Sequence, residues 1–256
     1  MKMDKNLRQD NDLSEGLIEG RNAVTEALRS GRAVNKVYLA DGDTDKALGR
    51  LAAMARDAGA VVVRIDRRKL NEMSPTGAHQ GIIASVAAHE YATLDDILVL
   101  AEKRGQPPLI VLCDELSDPH NLGAIIRTAE CAGAHGVVIP KRRSVGLTAV
   151  VGKASAGALE YLPVARVSNI SAAIRELKQR GVWVYGTAAD ADTDLYHADL
   201  KGPAAIVIGN EGAGMSRLVA ESCDLRVSIP MKGQISSLNA SAAAAILLYE
   251  AVRQRG

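Results

Sequence analysis

The sequence has no phenylalanine, one tryptophan (Trp183) and six tyrosines among 256 residues, so any core must be aliphatic and alanine-rich. Cysteine is equally scarce. Cys113, Cys131 and Cys223 are odd in number and far apart, and they read as small buried hydrophobes in a reducing compartment. Neither they nor the five histidines form a short-range ligand pair, so no zinc or other metal site is expected. No apolar stretch approaches the ~18 residues that a membrane span needs. Charge of one sign is missing too: 31 Lys+Arg stand against 30 Asp+Glu. Residues 1–90 carry 14 basic against 13 acidic, and residues 91–256 carry 17 against 17. A globally basic face is thus excluded, and any nucleic-acid surface must be local. Residues 1–16 are polar and mixed in charge without an apolar run, which reads as a disordered leader and not a secretory signal. A cytoplasmic protein is expected.

What the chain has is alternation. Over residues 17–90 the pattern predicts helices at Asn22–Leu28, Asp45–Ala58 and Arg67–Met73 and strands at Lys36–Ala40, Val61–Ile65 and Gly81–Val86. That is a small α/β domain of about 70 residues, enough for a modest core. An amphipathic piece follows, and then Lys103-Arg104-Gly105-Gln106-Pro107-Pro108, so residues 91–106 are taken as a linker. Residues 107–256 alternate again. Strands are expected at Leu109–Leu112, Gly136–Ile139, Tyr161–Val164, Val182–Tyr185, Ala204–Ile208 and Leu225–Ile229, and helices at Leu122–Ala132, Ile170–Arg180, Met215–Glu221 and Ser237–Arg253. Several of these strands are continuous apolar runs, the pattern of a parallel sheet covered on both faces.

Three polar clusters punctuate this second half. The first, Asp118-Pro119-His120-Asn121-Leu122-Gly123, leads into a helix that carries Arg127. Arg127 can clamp a phosphate or carboxylate with its planar fork; a plain capped helix with a solvated arginine fits as well. The second, Gly209-Asn210-Glu211-Gly212-Ala213-Gly214, is a glycine turn after a strand. It allows close backbone approach to a ligand, but its order is not the dinucleotide fingerprint and it lacks the lysine of a phosphate loop. Glu211 would repel a phosphate there and would suit a cation or a hydroxyl group. The third runs from Ile229-Pro230-Met231 to Ser236-Ser237-Leu238-Asn239-Ala240-Ser241. Ser236 or Ser237 can cap the following helix, which leaves further polar residues beside an alanine-dense face that another backbone must approach closely. Outside the clusters, Arg64, Arg67, Arg68 and Lys69 and the run Lys141-Arg142-Arg143 are solvated faces or RNA-backbone contacts. His79-Gln80-Gly81 reads as a structural polar turn.

In order and spacing the three clusters resemble the signature motifs of the SpoU (TrmH-like) family of SPOUT RNA methyltransferases, over essentially all of residues 107–256. Gly20–Val86 resembles the L30e-like RNA-binding domain of one subgroup, the 23S ribosomal RNA guanosine 2′-O-methyltransferases. The resemblance implies an α/β chain with an L30e-like substrate-binding domain (17–90) before a knotted parallel-sheet methyltransferase domain, acting as a homodimer. It implies S-adenosylmethionine as cofactor, held by Gly209, Ile229 and Leu238 with Thr187 as a further candidate. It places Asn121, Arg127, Glu211, Ser237 and Asn239 around the reacting ribose. The expected activity is transfer of methyl to a ribose 2′-hydroxyl of RNA, a guanosine of 23S ribosomal RNA in this subgroup. Transfer RNA is the alternative substrate, and a non-catalytic RNA-binding or ribosome-assembly protein the alternative class.

Overall fold

A computed structural model describes residues 15–42, 45–74, 76–87, 89–191 and 193–256. The chain divides into two units, residues 1–90 and 91–256, each built on its own sheet. In the first unit the order is β1 (Glu15–Glu19), α1 (Arg21–Arg29), β2 (Val34–Ala40), α2 (Lys46–Asp57), β3 (Val61–Ile65), α3 (Arg67–Met73) and β4 (Ile82–Ala87). The sheet runs β1-β4-β2-β3, with β2 and β3 parallel and β4 antiparallel to β1 and β2. α2 forms because Leu48, Leu51, Ala52 and Ala55 recur at one-face spacing and are buried together. Asp45 caps it by accepting the Ala47 N–H at 2.8 Å, a bond worth about 1 kcal/mol to a helix. The turn at His79 is structural: the ring is buried, with Nε2 2.7 Å from Asn71 Oδ1 and Nδ1 accepting the Gly81 N–H.

The second unit is a seven-stranded sheet in which every pairing is parallel, ordered β7-β6-β5-β10-β8-β11-β9. Its strands are β5 (Leu109–Cys113), β6 (Gly136–Pro140), β7 (Val164–Val167), β8 (Trp183–Thr187), β9 (Thr193–Asp194), β10 (Ala204–Ile208) and β11 (Leu225–Ser228). Its helices are α4 (Leu94–Arg104), α5 (Pro119–Cys131), α6 (Ala149–Ala154), α7 (Ile170–Gln179), α8 (Arg217–Ser222) and α9 (Ala240–Arg255). β5, β6 and β10 are buried at every position, as the continuous apolar runs require. One face is covered by α5, α6 and α9 through Ile125, Val151 and Leu248. The other is covered by α4, α7 and α8 through Ile97, Ile174 and Val219. β5 and β10 are neighbours, yet the helices that follow them lie on opposite faces. Such a reversal opens a crevice at the carboxyl ends of the strands, where open α/β sheets bind ligands.

Several expectations need correction. Residues 91–106 are not a bare linker: α4 occupies 94–104, with Leu94, Ile97 and Ala101 buried. Thr93 and Asp96 form a reciprocal capping box, and Gly105 ends the helix at φ 62°, a left-handed geometry that glycine adopts without strain. Residues 15 and 16 of the expected leader lie in β1; residues 1–14 fall outside the described residues. The strand expected at Tyr161–Val164 begins only at Val164, because residues 158–160 make a tight 3-10 turn ahead of Pro163. Among the cysteines, Cys113 is buried, but Cys131 is exposed and Cys223 intermediate. Among the described residues, no helix is long and apolar enough to cross a membrane.

His135, just before β6, ties the amino end of the sheet. Its Nδ1 accepts the Leu109 N–H at 3.0 Å, and its Nε2 lies 3.2 Å from Gln106 Oε1. An accepting Nδ1 with a donating Nε2 is the neutral ring. Burial first, then Arg104 and Arg255, push its pKa from 6.5 down to about 4. Between those values the unfolded chain binds a proton that the folded chain refuses, so this contribution to stability is complete above pH 6.5 and lost as pH falls. The loss should reach up to roughly 3 kcal/mol near the lower limit. Urea unfolding across this range should show His135→Gln flattening the slope; an unchanged slope would absolve His135.

Candidate active site

At the crevice between β5 and β10 the chain brings two of the clusters into contact. α5 starts at Pro119 with Asp118 as its cap, accepting the His120 N–H at 2.8 Å. That start turns Asn121 inward, to 6 % exposure. Its amide donates to Asp118 Oδ2 at 3.2 Å and to Glu211 Oε1. Glu211 sits in the loop after β10, 90 residues away in sequence.

That loop is shaped by its own backbone and by the end of β5. Asn210 Oδ1 accepts the N–H groups of Gly212 and Ala213, at 2.9 and 3.2 Å, while the Asn210 and Gly214 backbones bond reciprocally. Asn210 Nδ2 donates to the Glu115 carbonyl at 3.1 Å, and Asp114 Oδ2 accepts the Ser216 N–H at 2.7 Å. At Gly209 the turn passes so close that an added Cβ would lie 2.4 Å from the Gly214 carbonyl carbon and the Met215 nitrogen. No atom can be there, so the backbone itself forms the wall.

The wall bounds a cavity of about 480 Å³. Ile208, Met215, Ile229 and Leu238 give it apolar sides; Asp190, Glu211, Ser236 and Ser237 give it polar ends. Its one cation among the described residues is Arg226, 3.7 Å from Asp190. A polyphosphate would find little to hold it, whereas a ligand with a flat apolar part and polar ends fits such a lining. The S-adenosyl cofactor implied by the resemblance has this character: an adenine for the apolar walls, and hydroxyl and amino groups for the polar ends. No cysteine lines the cavity. Burial pushes Cys113 up to about 12 and Cys223 to about 11, so neither thiol is a ready nucleophile.

Of the residues singled out in the sequence, Thr187, Gly209, Glu211, Ile229, Ser237 and Leu238 line this cavity, and Asn121 is bonded to one of them. Thr187 spends its hydroxyl on the Val207 carbonyl at 2.8 Å. Arg127 and Asn239 are not in the lining. Arg127 is exposed on α5. Asn239, and not Ser236 or Ser237, caps α9: its Oδ1 accepts the N–H of Ser241 at 3.0 Å and of Ala242 at 3.3 Å. The two serines are left on the cavity side, free of capping duty. Sequence reasoning missed Asp114, Asn210, Asp190 and Arg226. Asn210 alone carried a signal, since an asparagine two residues ahead of a glycine favours a turn closed by its own side chain.

Comparison with known proteins gives this geometry a family. Residues 108–249 match the SpoU rRNA Methylase family and residues 17–92 match the RNA 2′-O ribose methyltransferase substrate-binding family. A putative TrmH family tRNA/rRNA methyltransferase, YacO of Bacillus subtilis, is 49% identical over 238 residues, 93% of this chain and 95% of that protein. The SpoU methyltransferase AviRb of Streptomyces viridochromogenes, crystallised with AdoMet, superposes with a TM-score of 0.81 at 31% identity, covering 94% of this chain and 90% of that one. An AdoMet-bound rRNA methyltransferase of Sinorhizobium meliloti gives 0.75 at 26% identity, covering 93% and 87%.

Because the wall at Gly209 has no room for a methyl group, Gly209→Ala must open the loop. Calorimetry should show S-adenosylmethionine binding weakened at least about tenfold, or ~1.4 kcal/mol. Wild-type affinity in that variant would mean the cofactor does not touch this wall.

Proposed function

This chain belongs to the SpoU family of S-adenosylmethionine-dependent RNA methyltransferases, and from that premise we propose that it methylates the ribose 2′-hydroxyl of a guanosine in 23S ribosomal RNA. The observation that carries the reading is the Asn121–Glu211 hydrogen bond at the mouth of the cavity. It fixes a carboxylate, able to hold ribose hydroxyls, beside a pocket of the right character for the cofactor. The matched substrate-binding family over residues 17–92 supports ribose 2′-O chemistry and a role for the first unit in RNA selection. Ribosomal RNA is favoured because an rRNA methyltransferase superposes over 93% of this chain. The name of the Bacillus relative keeps transfer RNA as the second reading. Three thiols without disulfides suit action in the cytosol.

Gly209, Ile229 and Leu238, with Thr187 beside them, would hold S-adenosylmethionine, which would supply a methyl group already activated on sulfonium. The protein then has two tasks: to align the ribose oxygen with that methyl and to let its proton leave. Glu211 and Ser237 face the cavity and position the ribose hydroxyls, with Asn121 holding the Glu211 carboxylate in place. Asn239 fixes the start of α9 and thereby the placement of Ser237 and Leu238. Arg127 does not serve as the base, since a guanidinium offers N–H donors and no acceptor. Exposed on α5, it grips the phosphate next to the target ribose and lowers the pKa of the hydroxyl, whose proton passes to a phosphate oxygen or water.

Tritiated methyl from S-adenosylmethionine should appear in 23S ribosomal RNA that lacks the modification. Arg127→Ala should lower that transfer by on the order of 10²–10³-fold and spare cofactor affinity by calorimetry. Near-normal transfer would end its assignment, and no transfer by the wild type to any RNA would favour the non-catalytic alternative.

The homodimer is proposed on the outer face of α9, where Ala242 and Tyr249 are exposed and Ala245 and Ile246 half-buried at one-face spacing. A helix this poor in outward charge wants a cover. Analytical ultracentrifugation should give twice the chain mass for the wild type and a monomer for Tyr249→Arg. A monomeric wild type would sink the dimer.

A further inference from the structure

A second cavity, of about 270 Å³, opens at the carboxyl ends of β5 and β6 and the start of α7. It shares the segment after β10 with the first: residues 208–215 line one, and Ser216, Leu218 and Val219 line the other. Nothing in the proposed methyl transfer uses it. Its walls are apolar, polar, basic and, through Asp114 and Glu115, acidic. Leu218 and Ile170 are apolar, and Leu218 is 61 % exposed although it lies on a helix that packs into the core. Ser168, Asn169 and Ser171 offer hydroxyls and an amide. Arg142 and Arg143, from the basic run after β6, form the rim.

The charges on that rim are unequal. Arg143 is bound to Glu115 at 3.1 Å, and the Asp114 carboxylate accepts the Ser216 N–H at 2.7 Å. Arg142 is exposed and makes no ion pair among the described residues. The rim is also held in shape. The Ser144 hydroxyl and the Val145 N–H both donate to the Leu116 carbonyl, each at 2.9 Å. The cation is thus carried by a segment laced to the end of β5, and not by a loose loop.

An exposed leucine (Leu218) above the buried Ile170, hydrogen-bonding groups beside it and one cation without an ion pair at the lip match the parts of a nucleotide: base face, base edge and phosphate. We propose that this cavity is an RNA subsite, taking the base of a nucleotide other than the reacting one against Leu218 and Ile170 with Arg142 on its phosphate. The proposal rests on the RNA-methyltransferase reading for its choice of ligand. It adds what that reading lacks, a second hold on the strand that keeps the reacting ribose from drifting and discriminates between sequences.

The test uses the full chain and fluorescein-labelled single-stranded RNA decamers of uridine and of adenosine, followed by anisotropy at several salt concentrations. Arg142→Glu should weaken binding by about tenfold or more and reduce the salt slope by about 1. Leu218→Ala, which removes no charge, should weaken it about threefold or more with the slope unchanged. Both side chains are exposed, and cofactor affinity within about twofold of wild type would confirm that each variant folds. Loss in Arg142→Glu alone would reveal a surface phosphate contact and overturn the base subsite; no loss in either variant would overturn the proposal entirely. These binding measurements read the cavity whether or not the wild type transfers methyl groups, so failure of the methyltransferase reading would register separately in the tritium assay.

Discussion

Everything at the active site hangs on one hydrogen bond, from the Asn121 amide to the Glu211 carboxylate. It can exist only because β5 and β10 are adjacent while the helices after them diverge to opposite faces of the sheet. The amide is buried, so it must be satisfied: an orphaned polar group there costs about 1–3 kcal/mol. Asp118 and Glu211 satisfy it together. The bond therefore works in two directions. It stabilises the start of α5, and it holds a carboxylate at the mouth of a pocket where an unrestrained glutamate would swing into solvent.

The loop that carries Glu211 achieves its rigidity with almost no side-chain packing. Asn210 closes the turn from inside, Glu115 and Asp114 hold it from β5, and Gly209 lets two backbone stretches approach to the limit. Backbone is a suitable material for this wall, because peptide groups cannot change rotamer when a ligand arrives. The same attachment through Asp114 links this loop to the second cavity, since Ser216 lies on that cavity's wall. An RNA strand gripped there would thus press on the very segment that presents Glu211.

How much of this was legible depended on whether a signal was local. β3, α3 and β10 carry β-branched or one-face patterns bounded by clear breakers, and their observed limits coincide with those read from sequence. α4 was misread because Lys103, Arg104 and Gly105 look like linker composition, whereas they are the last turn and the stop of a helix whose buried stripe begins at Leu94. β1 went unseen because five residues with a charge at each end become a strand only by pairing with β4. At the site, the glycine turn and the serine–leucine pair stood out as clusters, and they do share one cavity. Asp190 and Arg226 did not, since an acid and a base 36 positions apart in unremarkable segments give no pattern until the sheet brings them within 3.7 Å. The cap of α9 was assigned to the wrong member of a polar run for a related reason. Ser236, Ser237 and Asn239 all cap well, and only the tertiary path of the chain decides which one meets the helix axis.

The chemistry of the lining limits what catalysis here can be. Among the described residues, no histidine, cysteine, lysine or tyrosine borders the cavity, so that lining holds no group whose ordinary pKa lies near neutrality. Its carboxylates are engaged: Glu211 accepts from Asn121, and Asp190 faces Arg226. A site so furnished is poorly equipped to pull protons or attack a substrate, and well equipped to hold one still. That suits a reaction whose leaving group comes already activated, where alignment of donor and acceptor supplies much of the rate and effective molarities of about 10⁵ M and above are attainable. It also explains why the exposed Arg127 matters to the proposal although it lies outside the pocket lining. The charge missing from the cavity has to act from the RNA side, where the phosphates are.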